Sequence, residues 1–300
     1  MPNKTAIEWT DYSSNPIFAY DPVANKRGWH CVHVSEGCRN CYAEAINKRF
    51  GTGLEYSAQN TSKVEFRISE KECNALKRLT FRVPDVKVFI GDMLDIFQPA
   101  ISDDLLNRLF SGCLELCNRR SILQILTKHP ARMRRYLEWR WGEGRIPCHH
   151  IWLGTSVEDQ ANADKRIPEL LASPTGGKRF LSYEPALGPL NLLNADRDGL
   201  RSGLGGLHQI IIGGESGRGA RPFDIQWARK IITDTAKSHI KVFIKQLGSF
   251  PTATMRHESL DSYWAIQPDG RLRMVLESSK GGDMNEWPED LRIREFPRAA

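Results

Sequence analysis

The chain has 300 residues, a formal charge of +6 and seven cysteines, and its pI is near 8.9. That length suits one large α/β domain or two smaller ones and buries a substantial core without staples. No apolar stretch approaches the roughly 20 residues that span a membrane, and Met1-Pro2-Asn3-Lys4 leads into no signal-peptide core. A cytoplasmic, reducing setting with no membrane partner is therefore expected, where clustered cysteines read as metal ligands before disulfides. The positive charge permits an anionic partner without requiring one.

Residues 7–16 mix aromatic and turn-forming side chains and read as a short strand, then a loop that reaches Cys31. That loop carries Cys31, Cys38 and Cys41 in a C-x6-C-x2-C spacing, and a helix is expected from about Ala43 to Phe50. Residues 51–69 show little periodicity and read as loop with short helical pieces. From Val86 a regular pattern takes over. Apolar, β-branched runs begin at Val86, Ser121, His150, Arg179, Gln209 and Lys241. Amphipathic stretches separate most of them: 103–118, 132–139, 160–171 and 225–238. Strands alternating with helices predict a parallel sheet with crossover helices. The fold class expected is α/β, a complete or partial parallel β/α barrel over residues 1–248, with a small C-terminal appendage over 249–300; a doubly wound open sheet is the competing architecture.

Each apolar run ends in polar or charged groups: Asp92 and Asp95, Thr127 and Lys128, Thr155 and Glu158, Glu184, Glu215 and Ser216, Lys245 and Gln246. Barrel sites lie at the C-terminal ends of strands, so these groups are candidates for a pocket lining, although any strand can end in a polar turn.

Three thiolates on one loop favour a soft metal: zinc, copper(I) or an iron–sulfur cluster. Structural zinc normally takes four protein ligands, and His30 or His33 could complete such a site. No second C-x-x-C pair exists for a zinc ribbon, and the H-x-E with P-C-x-x-C pattern of zinc deaminases is missing. Cys148-His149-His150 reads as a packed strand edge more readily than as a distant ligand. Gly213 and Gly214 would let a ligand approach the backbone, and Glu215 could accept hydrogen bonds from an ammonium group, though a tight βα turn explains the same residues. Glu184 is a second strand-end carboxylate. Lys128 and Lys245 could hold a carboxylate or phosphate. The Arg132–Trp141 stretch interleaves arginine with aromatics, as single-strand binders do, but reads better as an amphipathic helix with a basic face.

Several stretches occur together and in order: Ile7-Glu8-Trp9-Thr10-Asp11, Asn15-Pro16, Gly37-Cys38-Arg39-Asn40-Cys41-Tyr42-Ala43-Glu44, Leu126-Thr127-Lys128-His129-Pro130-Ala131-Arg132-Met133, Trp152 to Gln160, Ser182-Tyr183-Glu184-Pro185, Gly213 to Gly217 and Phe243-Ile244-Lys245-Gln246. Over nearly its whole length the chain resembles a phage- and prophage-associated three-cysteine-motif family of unknown function, which implies a bacterial host. More distantly, the cysteine loop followed by β/α units resembles the radical S-adenosylmethionine superfamily. That resemblance implies a [4Fe-4S] cluster on Cys31, Cys38 and Cys41, S-adenosylmethionine at the open iron, an electron donor, and a 5′-deoxyadenosyl radical. The spacing carries three more residues between the first two cysteines than the usual C-x3-C-x2-C, and Asn40 stands where an aromatic usually precedes the third, with Tyr42 after it. Gly213-Gly214-Glu215, with Ser216, is similar to that superfamily's amino-group-binding motif but comes later in the chain. Tyr42, Gly213, Gly214, Glu215 and Ser216 are the expected cofactor contacts; Lys128, Glu184 and Lys245 are the expected catalytic groups. A nucleotide or nucleic acid is the expected substrate. The alternative is a zinc-stabilised module that docks a protein or nucleic acid.

Overall fold

The computed structural model describes residues 2–142, 148–192, 206–253 and 264–298. In chain order the elements are β1 (Asn3–Lys4), β2 (Tyr12–Ser14), β3 (Ile17–Asp21), β4 (Lys26–Gly28), α1 (Tyr42–Phe50), α2 (Ala58–Thr61), β5 (Glu65–Ile68), α3 (Glu70–Arg82), β6 (Lys87–Ile90), α4 (Asp103–Gly112), β7 (Ile122–Thr127), α5 (Pro130–Trp141), β8 (Ile151–Val157), α6 (Gln160–Ala172), β9 (Arg179–Tyr183), β10 (Gln209–Gly213), β11 (Phe223–Asp224), α7 (Ile225–Thr235), β12 (Lys241–Gln246), β13 (Pro251–Ala253), β14 (Trp264–Ile266) and β15 (Leu272–Met274). The strand order β1-β2-β6-β7-β8-β9-β10-β12 is that of a partial β/α barrel, and the α/β class expected from the sequence holds. The six apolar runs became β6, β7, β8, β9, β10 and β12. Tyr263, expected to begin a strand, lies outside the described residues. Two compact units divide the chain, one within 2–155 and 169–179, the other within 156–168 and 180–298.

In the first unit, β2, β6, β7 and β8 are parallel, with Tyr12 opposite Val88, Val88 opposite Leu123 and Leu123 opposite Ile151, while β1 joins β2 antiparallel. Strands of this kind are covered on both faces and so read as unbroken apolar runs; Val88, Ile90, Leu123, Ile125 and Leu153 are all 0–1% exposed. Helices start where capping side chains allow: Ser69 and Ser102 accept the N–H of Glu72 and Leu105, and Pro130 opens α5.

Two features of this unit depart from the sequence reading. Helix α3 was not expected, because its buried face consists of Glu72, Cys73, Ala75, Leu76 and Thr80 rather than a broad apolar stripe; Glu72 is buried because its Oε1 accepts from Ser14 Oγ at 2.9 Å. The stretch read as loop before the cysteines, and part of 51–69, form an antiparallel sheet β4-β3-β5. Turn residues hide its hairpin: Asp21 Oδ1 takes the N–H groups of Val23 and Ala24, and Asn25 adopts φ +50°, which asparagine tolerates.

His150 is buried, its Nε2 bonding the Leu114 carbonyl at 2.9 Å, and burial lowers its pKa from the usual histidine value. The neutral ring is the folded form, so its contribution to stability is present above pH 6.5 and is lost as pH falls through the depressed value. The melting temperature is expected to drop between pH 7 and pH 5, with a shallower drop in His150→Gln, which keeps a donor to Leu114 but cannot titrate; identical slopes in the two proteins would refute this assignment.

In the second unit, β9, β10 and β12 are parallel, with Gln209 opposite Phe180 and Ile210 opposite Val242, and β10 is buried along its whole length. A second sheet runs β11-β13-β15-β14. The C-terminal tail lies along β12, where Ile244 N–H donates to Ile293 O and Glu295 N–H to Val242 O. Glu158, read from the sequence as a pocket-facing group, is fully buried, its Oε2 3.0 Å from Arg166 Nη1, which also donates to Ser156 O at 2.9 Å. No helix among the described residues is long and apolar enough to cross a membrane.

Candidate functional site

The cysteine loop is held at both ends by one buried amide. Asn47, on the inner face of α1, accepts from Trp29 N–H at 2.9 Å and Thr52 N–H at 3.2 Å, and donates to Thr52 Oγ1 at 2.9 Å and Leu54 O at 3.0 Å. The chain passes so close that a Cβ on Gly28 would sit 2.3 Å from Thr52 N and 2.6 Å from Asn47 Oδ1. The segment before the cysteines and the segment after α1 are thereby clasped together, with Cys31, Cys38 and Cys41 between them.

Trp29, Cys31 and Cys41 pack against Ala43, Tyr56 and Met93. Two phenols tie this cluster to the loop that follows β6: Tyr56 donates to Met93 O at 2.8 Å and Tyr42 to Asp92 O at 2.7 Å. The cysteines thus stand over the C-terminal end of a parallel strand. Burial pushes the Cys31 thiol up to about 12; the Asp95 carboxylate and the Cys38 and Cys41 sulfurs push the same way, against the Asp95 N–H. Burial also raises Cys41, opposed by the N–H groups of Glu44 and Ala43 at the start of α1 and by the Lys128 ammonium. All three thiols are free.

Asp95 joins the neighbouring strand end to this cluster. Its carboxylate accepts from Thr127 Oγ1 at 2.8 Å, Lys128 N–H at 2.7 Å and Phe97 N–H at 2.9 Å. Asp92, its pKa raised by burial, accepts from Asn15 Nδ2 at 2.6 Å. So the first unit brings together Cys31, Cys38, Cys41, Tyr42 and Lys128 from the sequence-derived set, and adds Tyr56 and Met93. Those two lacked a sequence signal, since each is an ordinary apolar residue in a loop.

The donor set suits a soft metal: three thiols on one loop, none in a disulfide, with the Lys128 charge favouring ionisation of Cys41. Among the described residues no three His, Cys, Asp or Glu side chains are grouped as the ligands of one metal ion would be; the sulfurs feel one another without being drawn onto a single point. The histidines offered as a fourth zinc ligand have their Nε2 atoms engaged. His30 Nε2 lies 3.1 Å from both Ser57 O and Thr61 Oγ1, and His33 Nε2 is 3.1 Å from Glu44 Oε2. Cys148 is buried, and His149 bonds Gly176 O.

The other candidates belong to the second unit. Glu184 and Lys245, at the ends of β9 and β12, form an ion pair with both side chains mostly buried. Gly213 lies beside them: a Cβ there would meet the Glu184 carboxyl group at 3.3 Å. At Gly214 the close approach comes from the chain itself, for a Cβ would sit 2.3 Å from Leu247 O. Glu215 is gripped by Arg221, whose Nη2 and Nε donate to its two oxygens at 2.7 and 3.0 Å while the Arg221 N–H adds a third bond at 3.0 Å. Ser216 is exposed.

Helix α5 carries less free charge than its sequence advertised. Arg132 donates to the carbonyls of Phe97, Gln98 and Ile101 and pairs with Asp103. Arg134 pairs with Glu169 at 3.0 Å, and Arg140 holds Glu115 and Asn107.

A family model described as "Protein of unknown function (DUF5131)" matches residues 4–275. No curated protein matches the chain. Among solved structures, a mutant of spore photoproduct lyase aligns at 12% identity with a TM-score of 0.46, covering 93% of this chain and 72% of its own.

Proposed function

The chain belongs to the DUF5131 family, and we propose that it is an iron–sulfur enzyme of radical S-adenosylmethionine type, with Cys31, Cys38 and Cys41 as the ligands of a [4Fe-4S] cluster. The observation behind this reading is the gathering of three free thiols on one clasped loop, with Lys128 and Asp95 supplied by adjacent strand ends. When bound, the cluster and S-adenosylmethionine would supply a one-electron cleavage that yields a 5′-deoxyadenosyl radical. The protein's part is positioning, charge and the exclusion of water.

Lys128 and the first-turn N–H groups of α1 favour the thiolate of Cys41, so the sulfur proton can leave to solvent when a metal arrives. Asp95 fixes the Thr127–Lys128 turn, its carboxylate accepting from the Thr127 hydroxyl and the Lys128 N–H. Tyr42, half exposed beside Cys41, is the proposed cofactor contact of the first unit. Because Arg221 already holds Glu215, that carboxylate's role is to shape the loop rather than to meet an ammonium group directly. Glu184 and Lys245 neutralise each other and can be opened by a substrate bearing either charge. A nucleotide or nucleic acid is the proposed substrate class, with a separate electron donor to the cluster.

Anaerobic reconstitution should give a brown protein with about four irons per chain. Adding dithionite and S-adenosylmethionine should release 5′-deoxyadenosine, assayed by chromatography. A colourless protein that keeps stoichiometric zinc after the same treatment would overturn the proposal and favour the zinc-stabilised module.

A further inference from the structure

The second unit contains a cleft of about 690 Å3 whose lining includes neither Glu184 nor Lys245. Its walls come from the loop after β10, the loop after β12, and β15 with the turns that follow it. Its lining includes the polar residues Ser216, Arg218, Ser249, Arg273, Ser279 and Lys280, and the apolar Pro251 and Met274 to Leu276. Three of these are cations, and no carboxylate lines the cleft among the described residues. Glu286, near in sequence, is turned to the N–H groups of Glu277 and Ser278 at 2.6 and 3.2 Å.

The walls are locked together before any ligand arrives. Leu247 N–H donates to Gly281 O and Ser249 N–H to Glu215 O, both at 2.9 Å. Ser249 Oγ accepts from Gly217 N–H at 2.9 Å and donates to Ser279 O at 2.5 Å. Gly248 at φ +80° lets two backbones touch, since a Cβ there would lie 2.5 Å from Glu215 O. Arg273 is held in place over the Phe250 ring, 4.7 Å from its centroid, with Nη2 3.3 Å from Ser249 O. Among the described residues only Ser249 O takes a hydrogen bond from its guanidinium, which has five N–H donors. A concave site of this volume is the size of small-ligand pockets. It lies beyond the C-terminal ends of two parallel strands, where open α/β sheets place ligands. Two arginines and a lysine, with no carboxylate among the described lining residues, suit an anion of several oxygens rather than a single carboxylate, and Pro251 and Met274 to Leu276 add an apolar wall.

We propose that this cleft binds the phosphates of a nucleotide unit, either free or within a single strand. None of the three cysteines lines the cleft, so metal-free, full-length protein suffices to test the proposal. Fluorescence anisotropy with labelled single-stranded DNA and RNA, and calorimetry with AMP and pyrophosphate, would be run at low salt and across a salt series. Arg218→Ala combined with Lys280→Ala should weaken binding about tenfold or more and reduce the salt slope for a strand by about 1.4, at about 0.7 per lost phosphate contact. Arg218→Glu alone should weaken it further than Arg218→Ala. Arg218 is exposed, so the Arg218 single variants should melt as wild type, and Arg134→Ala with Arg135→Ala should bind as wild type. Binding of AMP and pyrophosphate alongside the strands assigns the cleft to a free nucleotide; binding of strands alone assigns it to a nucleic-acid backbone. If none of these probes binds at low salt, or the double variant binds them all like wild type, the proposal is wrong.

Discussion

Replacing Cys38 with alanine is expected to abolish iron uptake and leave the protein folded. Cys38 closes a short turn, Glu36–Cys38, that buries no residue, and it is not among the side chains packed on Tyr56 and Met93. Its loss should therefore change stability by no more than about 0.5 kcal/mol, as for a surface substitution. Cys31→Ala should also abolish uptake but lower the melting temperature, because that sulfur packs in the cluster. The measurements are iron content and visible absorbance after anaerobic reconstitution, with circular dichroism and a thermal melt on the same samples. A structural zinc site behaves differently, since its metal contributes folding energy directly. If Cys38→Ala purifies with its N-terminal half unfolded while wild-type protein retains zinc, the iron–sulfur reading fails.

The largest stability effect is expected at Glu158. Its side chain is fully inaccessible and that of Arg166 is 9% exposed. Glu158→Ala strands a buried guanidinium, which costs about 3–5 kcal/mol. The melting temperature should fall on the order of 10 °C. Glu158→Leu combined with Arg166→Met removes both charges and should recover most of that loss, because an apolar pair of similar volume often matches a buried ion pair. A thermal melt decides the matter: a single variant that melts with wild type would show that the pair carries no weight. Glu158 would then be open to the ligand-facing role its position suggested.

That pair also marks how far the sequence could be read. A carboxylate just past a buried strand looks the same whether it faces a ligand or an arginine. Glu158 and Glu215 were both read as pocket groups, yet Arg166 and Arg221 claim them from eight and six residues further along. The partners were close in sequence, but the turn that brings each one back is set by packing, not by periodicity. The small sheet β4-β3-β5 was missed for a related reason: short, half-exposed strands between turn residues carry no run of apolar side chains. Glu72 and Asn47 were silent because a buried polar residue becomes legible only when its partners are known.

What the sequence determined by itself was the repeating architecture and the placing of three cysteines on one loop. Strands buried on both faces must be apolar throughout, so β6 to β10 and β12 announce themselves, and soft-metal chemistry admits few residue types, so three close cysteines stand out. What tertiary structure alone decided was which polar groups are spent on the fold and which remain for a ligand. The Lys128 charge favours the Cys41 thiolate, Arg221 covers Glu215, and Arg218 and Arg273 line one cleft. The reason is physical: desolvation and pairing depend on distances between segments far apart in the chain, and single-sequence pattern carries almost no information about those distances.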